Sequence, residues 1–223
     1  MVLDLMPLYI SFKLAVVTTL CLLVVGIPLA YFLAYKRFRG KTLVEAVVSL
    51  PIVLPPTVLG FFLLVAMGNH SPVGRLYNDI FGHPLAFSFE GLVVASILYS
   101  LPFAVQPIQN GFEQVDRTLI DAGRTLGCSP VGVFFRVILP ASKRAIITGS
   151  VLSFAHTLGE FGVVLMVGGN IPGVTKVASI SIYESVETLN YTEALVMSLI
   201  LLAISFTVLA SVYYINRRER ILA

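Results

Sequence analysis

Residues 14–35 read LAVVTTLCLLVVGIPLAYFLAY, a run of 22 residues without a charged side chain. A bilayer core of about 30 Å requires about 20 apolar residues in a helix, so this run is long enough to cross a membrane. A cleaved signal peptide carries its positive charge before a shorter apolar region. Here the basic cluster follows the run, at Lys36, Arg37, Arg39 and Lys41. We therefore interpret residues 14–35 as a retained membrane helix.

Four more long apolar runs follow, at residues 46–70, 91–112, 145–168 and 194–216. The 223 residues are 57% hydrophobic and 12% charged, with a mean hydropathy of +0.92. Because a soluble domain is about 25% charged, this composition excludes an ordinary soluble enzyme and a disordered chain. We predict an all-α, polytopic bundle of about five transmembrane spans, forming one domain over residues 1–223.

The two cysteines of the chain, Cys21 and Cys128, stand far apart in the sequence. Neither has a CxxC partner or a neighbouring cluster of metal ligands. The sequence therefore predicts neither a structural disulfide nor a metal site.

The basic residues orient the predicted spans, because Lys and Arg collect on the cytoplasmic side of a membrane protein. When the loop after the first span is placed in the cytoplasm, 12 of the 15 basic residues fall inside. Lys13, Arg75 and Lys176 stay outside or at the outer interface. We predict that the N-terminus lies outside and the C-terminus inside. The inside set is Lys36, Arg37, Arg39, Lys41, Arg117, Arg124, Arg136, Lys143, Arg144, Arg217, Arg218 and Arg220.

The cytoplasmic stretch between the third and fourth spans, about residues 113–144, is punctuated like two short helices. Asp116 can cap the first helix, and Gly127 supplies a left-handed stop after it. Ser129 followed by Pro130 is typical of the start of a second helix, which Pro140 is expected to end. Apolar residues recur at helical spacing on each: Leu119, Ala122, Gly123 and Leu126 on the first, and Val131, Phe134, Phe135 and Ile138 on the second.

The apolar stripe of the first short helix centres on two very small residues, Ala122 and Gly123. Glycine inside a helix costs about 1 kcal/mol relative to alanine, which suggests the close approach of another surface. A short amphipathic helix of this kind suits docking in a protein groove. Helices that lie on the membrane or pack under the bundle would give the same pattern.

The spacing of this stretch resembles the "EAA" loop of ABC importer permeases, which reads E-A-A, three residues, G, nine residues, I-x-L-P. Asp121, Gly123 and Val137 are the three departures, and each is mild. The resemblance implies a coupling helix pair that docks on a separate cytoplasmic ATPase. ATP and Mg²⁺ would bind to that partner, so this chain is expected to be non-catalytic and to hold no cofactor. The coupling residues it implies are Asp121, Ala122, Gly123, Leu126, Gly127, Val137, Leu139 and Pro140.

Further stretches are similar to one branch of this family, the molybdate permease subunits. They are LPIVLPPTVLG at 50–60, RTLG at 124–127, LGEFG at 158–162 and NIPG at 170–173. The resemblance implies alternating-access import of molybdate, or of tungstate, with a sulfate or thiosulfate permease as an alternative. It also implies a bacterial or archaeal cytoplasmic (inner) membrane. Five helices are few to enclose a gated path, so we infer a homodimer with the path along its two-fold axis. Because the spans hold no cluster of Arg or Lys to bind an anion tightly, we expect a periplasmic binding protein to deliver it.

The second predicted span contains three prolines, Pro51, Pro55 and Pro56. Proline removes a backbone hydrogen bond and kinks or breaks a helix. In a membrane such a break is tolerated where it is buried in protein or lines a cavity. We therefore predict a broken helix beside a translocation path, with a kinked packing helix as the alternative. Thr57 follows the break as a candidate hydrogen-bond donor to an anion.

Glu160 is the only carboxylate well inside a predicted span. A charge at the bilayer centre costs about 2.5–3.5 kcal/mol, so Glu160 should face the bundle and have a partner. His156 lies one turn earlier, which predicts a His156–Glu160 pair. A gate, a fixed structural pair, and a cap on broken backbone beside Gly159 and Gly162 are all compatible with this pattern.

Small polar residues inside the spans are candidate donors along an anion path, although such residues also join membrane helices to one another. They are Thr57, Ser96, Ser100, Gln106, Ser153 and Thr157.

A secondary ion-coupled transporter, with Glu160 as its coupling residue, is the alternative class of transporter. Five spans without an internal repeat argue against it. The sequence contains no H-E-x-x-H, G-x-S-x-G or Walker A pattern, which argues against an intramembrane enzyme and against ATP hydrolysis by this chain alone.

Overall fold

The computed structural model describes the backbone of residues 4–221 and the side chains of residues 4–211, 213 and 214. All regular structure in this part of the chain is helical, which confirms the predicted fold class. Among the described residues, three unbroken helices are long and apolar enough to cross a membrane. They are α1 (Met6–Tyr35), α5 (Phe89–Glu113) and α12 (Tyr191–Ile221).

Two more spans are formed by pairs of helices that meet at a sharp bend. The first pair, α2 (Lys41–Val53) and α3 (Pro56–Met67), is bent by 112°. The second, α9 (Lys143–Leu158) and α10 (Gly162–Gly168), is bent by 61°. Counting each pair as one span gives the five predicted spans, so the second and fourth runs are broken helices rather than rods.

The centre of the bundle is formed where α1, α5 and α9 pack against one another. Small residues let these backbones approach closely: a Cβ built on Gly149 of α9 would lie 2.8 Å from the carbonyl oxygen of Ala104 of α5. Gly26 of α1 faces Ala104 and Val105 in the same way. Such contacts hold membrane helices together, because the hydrophobic effect does not drive their association in lipid.

Large apolar side chains cover the outside of the bundle. Val24 of α1 is 75% exposed, and Leu202 and Phe206 of α12 are similarly open. On a soluble protein this surface would aggregate, whereas in a bilayer it matches the acyl chains. Lys13 lies within α1. Its Nζ is 4.3 Å from the centre of the Phe89 ring, and this cation–π contact stabilises the ammonium charge.

Residues 170–190 connect the fourth and fifth predicted spans, and the spacing of their residues alone is compatible with a plain loop or a short re-entrant element. The structure places the helix α11 (Ala178–Glu187) in this segment. The amide of Ala178 donates to the Ser11 hydroxyl at 2.8 Å, fastening α11 to α1. Lys176 forms an ion pair with Glu184, and hydrogen bonds from this ammonium and from Asn170 lower the pKa of the Glu184 carboxyl. Residues 170–190 therefore form a loop followed by a helix that packs on α1.

The remaining helices lie on the loops between spans. They are α4 (Pro72–Phe81), α6 (Arg117–Thr125), α7 (Pro130–Val133), a π-helical turn (Phe134–Ile138) and α8 (Leu139–Ala141). The predicted orientation across the membrane stays a prediction. Three of the basic residues on which it depends, Arg217, Arg218 and Arg220, lie outside the described side chains.

Candidate translocation path and coupling surface

The break in the second span lies at the predicted prolines. Helix α2 ends at Val53, and α3 begins at Pro56, whose missing N–H costs nothing at the first helical position. The carbonyl of Pro55 accepts the amides of Val58 and Leu59 at 2.9 and 3.2 Å, so the new helix is closed at its first turn. Pro51 stays inside α2. The prediction of a broken helix is confirmed.

The break in the fourth span lies at Gly159, Glu160 and Phe161. The amides of Gly159 and Glu160 still bond back to Ala155 and Thr157, at 3.2 and 3.3 Å, and α10 begins at Gly162. The hydroxyl of Ser179 in α11 donates to the freed carbonyl oxygen of Glu160 at 2.6 Å. These three backbone groups at the break are therefore hydrogen-bonded within the protein, as the membrane interior requires.

The two breaks meet each other, because α3 packs against α10. A Cβ built on Gly162 would lie 2.7 Å from the Cβ of Pro56, and one built on Gly60 would lie 2.7 Å from the Cβ of Met166. Either distance is shorter than side chains tolerate. Glycine at both positions is what allows the kinks of the second and fourth spans to come together.

Glu160 is bound to α5 rather than to His156. Its side chain is buried, with 4% of the residue exposed, and its Oε2 accepts a hydrogen bond from Ser96 at 2.9 Å. The second oxygen, Oε1, is buried without a partner among the described residues. The predicted His156–Glu160 pair is wrong, because α9 ends at Leu158 and the two residues no longer lie one helical turn apart.

His156 is held by its own set of groups on α5. Its Nδ1 lies 2.9 Å from the Ser100 hydroxyl, which also lies 2.9 Å from the hydroxyl of Thr157. The imidazole stacks on the ring of Phe103, with centroids 4.0 Å apart, and contacts Tyr99 at 4.7 Å. His156 is therefore oriented by one hydroxyl and two aromatic rings.

A cavity of about 590 Å³ lies where the two breaks meet. Five of the predicted path residues line it: Pro56, Thr57, His156, Gly159 and Glu160. The other two, Pro51 and Pro55, are not among its lining residues. Thr57 is an exposed lining residue and Glu160 is a buried one, so a donor hydroxyl and a carboxyl group both line the cavity.

Most of the other predicted donors are engaged in helix-to-helix or local bonds. Ser96 and Ser100 bind Glu160 and His156, Gln106 donates to Ser49 of α2 at 2.9 Å, and Ser153 donates to the carbonyl of Ser150. Their main visible role is to join helices, which was the alternative interpretation of these residues.

The caps predicted for the cytoplasmic loop are present. The Asp116 carboxylate accepts the amide of Thr118 at 2.8 Å, and this hydrogen bond lowers the pKa of Asp116. Gly127 has a φ of +78°, a left-handed conformation that glycine adopts without strain. Ser129 accepts the amide of Gly132 at 3.1 Å and starts the second helix.

The second helix ends at Ala141, one residue after the predicted end at Pro140. The helix continues to Ala141 through a π-helical turn in which the amide of Leu139 bonds back five residues to Phe134. Because Pro140 has no N–H, the regular bond to Arg136 cannot form, and the wider turn accommodates this loss.

The apolar stripe of α6 is divided between two surfaces. Leu119, Ala122 and Leu126 are exposed, and Leu126 is 84% exposed. Gly123 is buried, and a Cβ on it would meet the side chains of Val137 and Val133 at 3.4 and 3.6 Å. The close approach expected at Gly123 is thus made by this chain's own second helix.

The sequence matches, over residues 26–221, the family described as "Binding-protein-dependent transport system inner membrane component". The chain belongs to this family. The match covers all helices from the end of α1 to α12, including both broken spans and the capped cytoplasmic loop.

Individual members of the family can be compared over nearly the whole chain. The molybdenum transport system permease protein ModB of Azotobacter vinelandii is 47% identical over 214 residues, which cover 96% of this chain and 95% of that protein. A probable sulfate transport system permease protein cysT of Chlorokybus atmophyticus is more distant, at 34% identity, with 86% of this chain and 66% of that protein covered.

The fold is also that of a solved transporter. The structure of the MetNI methionine ABC transporter in inward-facing conformations superimposes with a TM-score of 0.74, covering 97% of this chain and 95% of that one. At 17% identity this likeness concerns the arrangement of helices alone.

The sequence did not single out three aromatic residues at or beside the cavity as site residues. Tyr99 and Phe161 line the cavity, and Phe103 stacks on His156. An aromatic residue inside an apolar run carries no distinguishing signal, because most such residues face lipid or packing neighbours. The break at Gly159 and the position of α5 bring them to the cavity.

Proposed function

We propose that this chain is the membrane permease subunit of an ATP-driven ABC importer of molybdate. The observation that carries the substrate is the 47% identity to a molybdenum permease over 96% of the chain. Tungstate is an accompanying substrate on chemical grounds, because the two oxyanions nearly match in size and charge. Sulfate import is a weaker candidate, since the sulfate permease relative is less similar.

The cavity at the two helix breaks is the proposed translocation path. It offers the Thr57 hydroxyl and the imidazole of His156, and none of its lining residues is Lys or Arg. Weak donors without fixed positive charge let an anion pass without trapping it. A separate periplasmic binding protein would supply the affinity, and two copies of this chain would enclose the path around a two-fold axis.

The exposed face of α6 is the proposed docking surface for a partner ATPase. Leu119, Ala122 and Leu126 form a small apolar ridge, held rigidly by the cap at Asp116 and the stop at Gly127. Binding of ATP and Mg²⁺ and the hydrolysis step would belong to that partner. Closure of the ATPase pair would move this ridge and, through it, the bent spans.

Reconstituted transport tests this proposal. The chain, its ATPase and its binding protein are placed in proteoliposomes, and uptake of molybdate is followed with and without ATP inside. We expect uptake that requires ATP and binding protein, and that tungstate inhibits and sulfate does not. Uptake driven by an ion gradient without ATP would instead establish a secondary transporter, and preference for sulfate would place the chain in the other branch.

A further inference from the structure

An apolar groove of about 710 Å³ runs along the C-terminal half of α1, which the predicted orientation places toward the cytoplasm, and it shares no lining residue with the cavity at the two breaks. One wall is α1 from Leu23 to Lys36, and the other is the second helix of the cytoplasmic loop from Pro130 to Leu139. We propose that this groove binds an anionic phospholipid of the cytoplasmic leaflet, with an acyl chain between the two walls and the headgroup phosphate at Lys36. This site is separate from the proposed substrate path and docking ridge.

The length of the groove fits one lipid leaflet. Leu23 and Lys36 are thirteen residues apart on a helix that rises about 1.5 Å per residue, so the groove extends about 20 Å along α1. Half of a bilayer's hydrocarbon core is about 15 Å thick, and the headgroup lies beyond it. A groove that starts at Lys36 therefore reaches the end of an acyl chain near Leu23.

The composition of the groove is that of an amphiphile site. Its walls are aliphatic and aromatic side chains, and Lys36 is the one charged residue that lines it. Lys36, Arg37 and Arg39 are all exposed beside one another where α1 ends. Lys41 is directed elsewhere, since it pairs with Glu45 and Glu113 at 3.5 and 3.9 Å. Basic clusters at this depth attract anionic headgroups.

The position of the groove gives a bound lipid a mechanical role. Val131 and Phe135 line it and are exposed, and they belong to the helix that packs on Gly123 of α6. A lipid between these residues and α1 would fill the space behind the coupling element. It would hold the second helix at a fixed distance from α1.

Native mass spectrometry of the full complex with its ATPase tests the site. Phosphatidylglycerol and phosphatidylcholine are titrated separately onto delipidated complex, and the bound lipids are counted. We expect a small number of tight phosphatidylglycerol sites, equal to the number of permease copies. Because one Lys–headgroup contact is worth about fivefold in affinity, Lys36→Gln should weaken this binding about fivefold. Arg75→Gln, on the other side of the spans, should leave it unchanged.

A matched pair of bulky substitutions tests the apolar part. Val24→Trp fills the groove, whereas Val25→Trp adds the same bulk on an outward position of α1 that does not line it. We expect Val24→Trp to remove phosphatidylglycerol binding and Val25→Trp to retain it. If Val24→Trp prevents assembly, the comparison of Lys36→Gln with Arg75→Gln still decides the proposal.

Three outcomes would overturn the lipid site. Equal binding of phosphatidylcholine and phosphatidylglycerol would exclude recognition of an anionic headgroup. Equal behaviour of Lys36→Gln and Arg75→Gln would exclude Lys36 as its partner. A cross-link from Val24→Cys to a second permease copy or to the ATPase would show that protein fills the groove. None of these outcomes depends on which anion is transported, so the proposed function would stand or fall separately.

Discussion

Glu160 and His156 stand at the kink of the fourth span, and each is bound by a different serine of α5. Ser96 donates to Glu160, and Ser100 bonds to His156, so α5 holds both ends of the kink. A buried carboxylate with one oxygen unpartnered is an expensive arrangement if it is charged. The environment of Glu160 is therefore better matched to a neutral side chain of the same shape.

We predict that Glu160→Gln assembles and melts at a temperature equal to or above that of the wild-type complex. Its amide oxygen can still accept from Ser96, and no buried charge remains. Glu160→Leu removes the acceptor and leaves the buried Ser96 hydroxyl unpaired, which should cost about 1–3 kcal/mol. Thermal unfolding of the purified complexes measures both changes.

Molybdate uptake by Glu160→Gln then separates a gating role of Glu160 from a structural one. Uptake that persists at wild-type stability indicates a structural group, and uptake that is lost at wild-type stability indicates a gate. A Glu160→Gln complex as unstable as Glu160→Leu would contradict the prediction, because it would show that the ionised carboxylate is stabilising.

At the scale of the element, the contact between α3 and α10 fixes how the two broken spans move. Their kinks touch through Gly162 and Pro56, and their shafts through Gly60 and Met166. Interfaces this close behave as rigid units, because side chains in a packed interior have no space into which to shift. Helices α3 and α10 should therefore move together as one rigid body.

We predict that Gly60→Ala destabilises the complex by about 1–3 kcal/mol, because the new Cβ would lie 2.7 Å from the Cβ of Met166. Gly159→Ala is the control at the neighbouring break: its Cβ meets nothing closer than 3.7 Å, and its φ of −92° suits alanine. Thermal unfolding compares the two. Equal melting temperatures would show that α3 and α10 do not stay in contact in the assembled protein.

The ridge of α6 gives a second prediction at this scale. Leu126→Asp or Ala122→Asp should abolish association with the ATPase and leave membrane insertion intact, because both positions are exposed. Arg117→Asp is the control, since it places the same charge at the opposite side of α6 and at a helix N-terminus that favours it. Co-purification of the ATPase is the measurement.

Wild-type co-purification of Leu126→Asp would contradict docking at this ridge. Gly123→Trp is a poorer test, because Gly123 is packed on Val133 and Val137 and its replacement would disrupt the loop itself.

Prolines and capping residues predicted most of the helix boundaries. They carry no information about contacts between helices that are distant in the sequence. Prolines at 55 and 56 and caps at Asp116 and Ser129 act within a few residues, so the sequence alone locates them. The His156–Glu160 pair failed because spacing assumes an unbroken helix. The stripe on α6 was identified, but periodicity does not tell whether Gly123 packs on its own chain or on a partner.

For the whole molecule, the cavity at the two breaks needs a second surface, because one chain leaves it open beside the exposed Thr57. If two copies meet around a two-fold axis that runs along the proposed path, exposed residues of this cavity such as Thr57 lie close to the same residues of the second copy. Thr57→Cys, in a background with Cys21 and Cys128 replaced by serine, should therefore form cross-links between permease copies.

The yield of that cross-link should change when the ATPase binds ATP, since alternating access alters the width of the path. Val24→Cys is the control, because Val24 is exposed on α1 and does not line the cavity at the two breaks. A Thr57→Cys complex that never cross-links would place the path elsewhere, and one whose yield ignores ATP would separate the cavity from the transport cycle. Both substitutions leave the helix breaks intact, so a difference between them reports which face of the bundle meets the second copy.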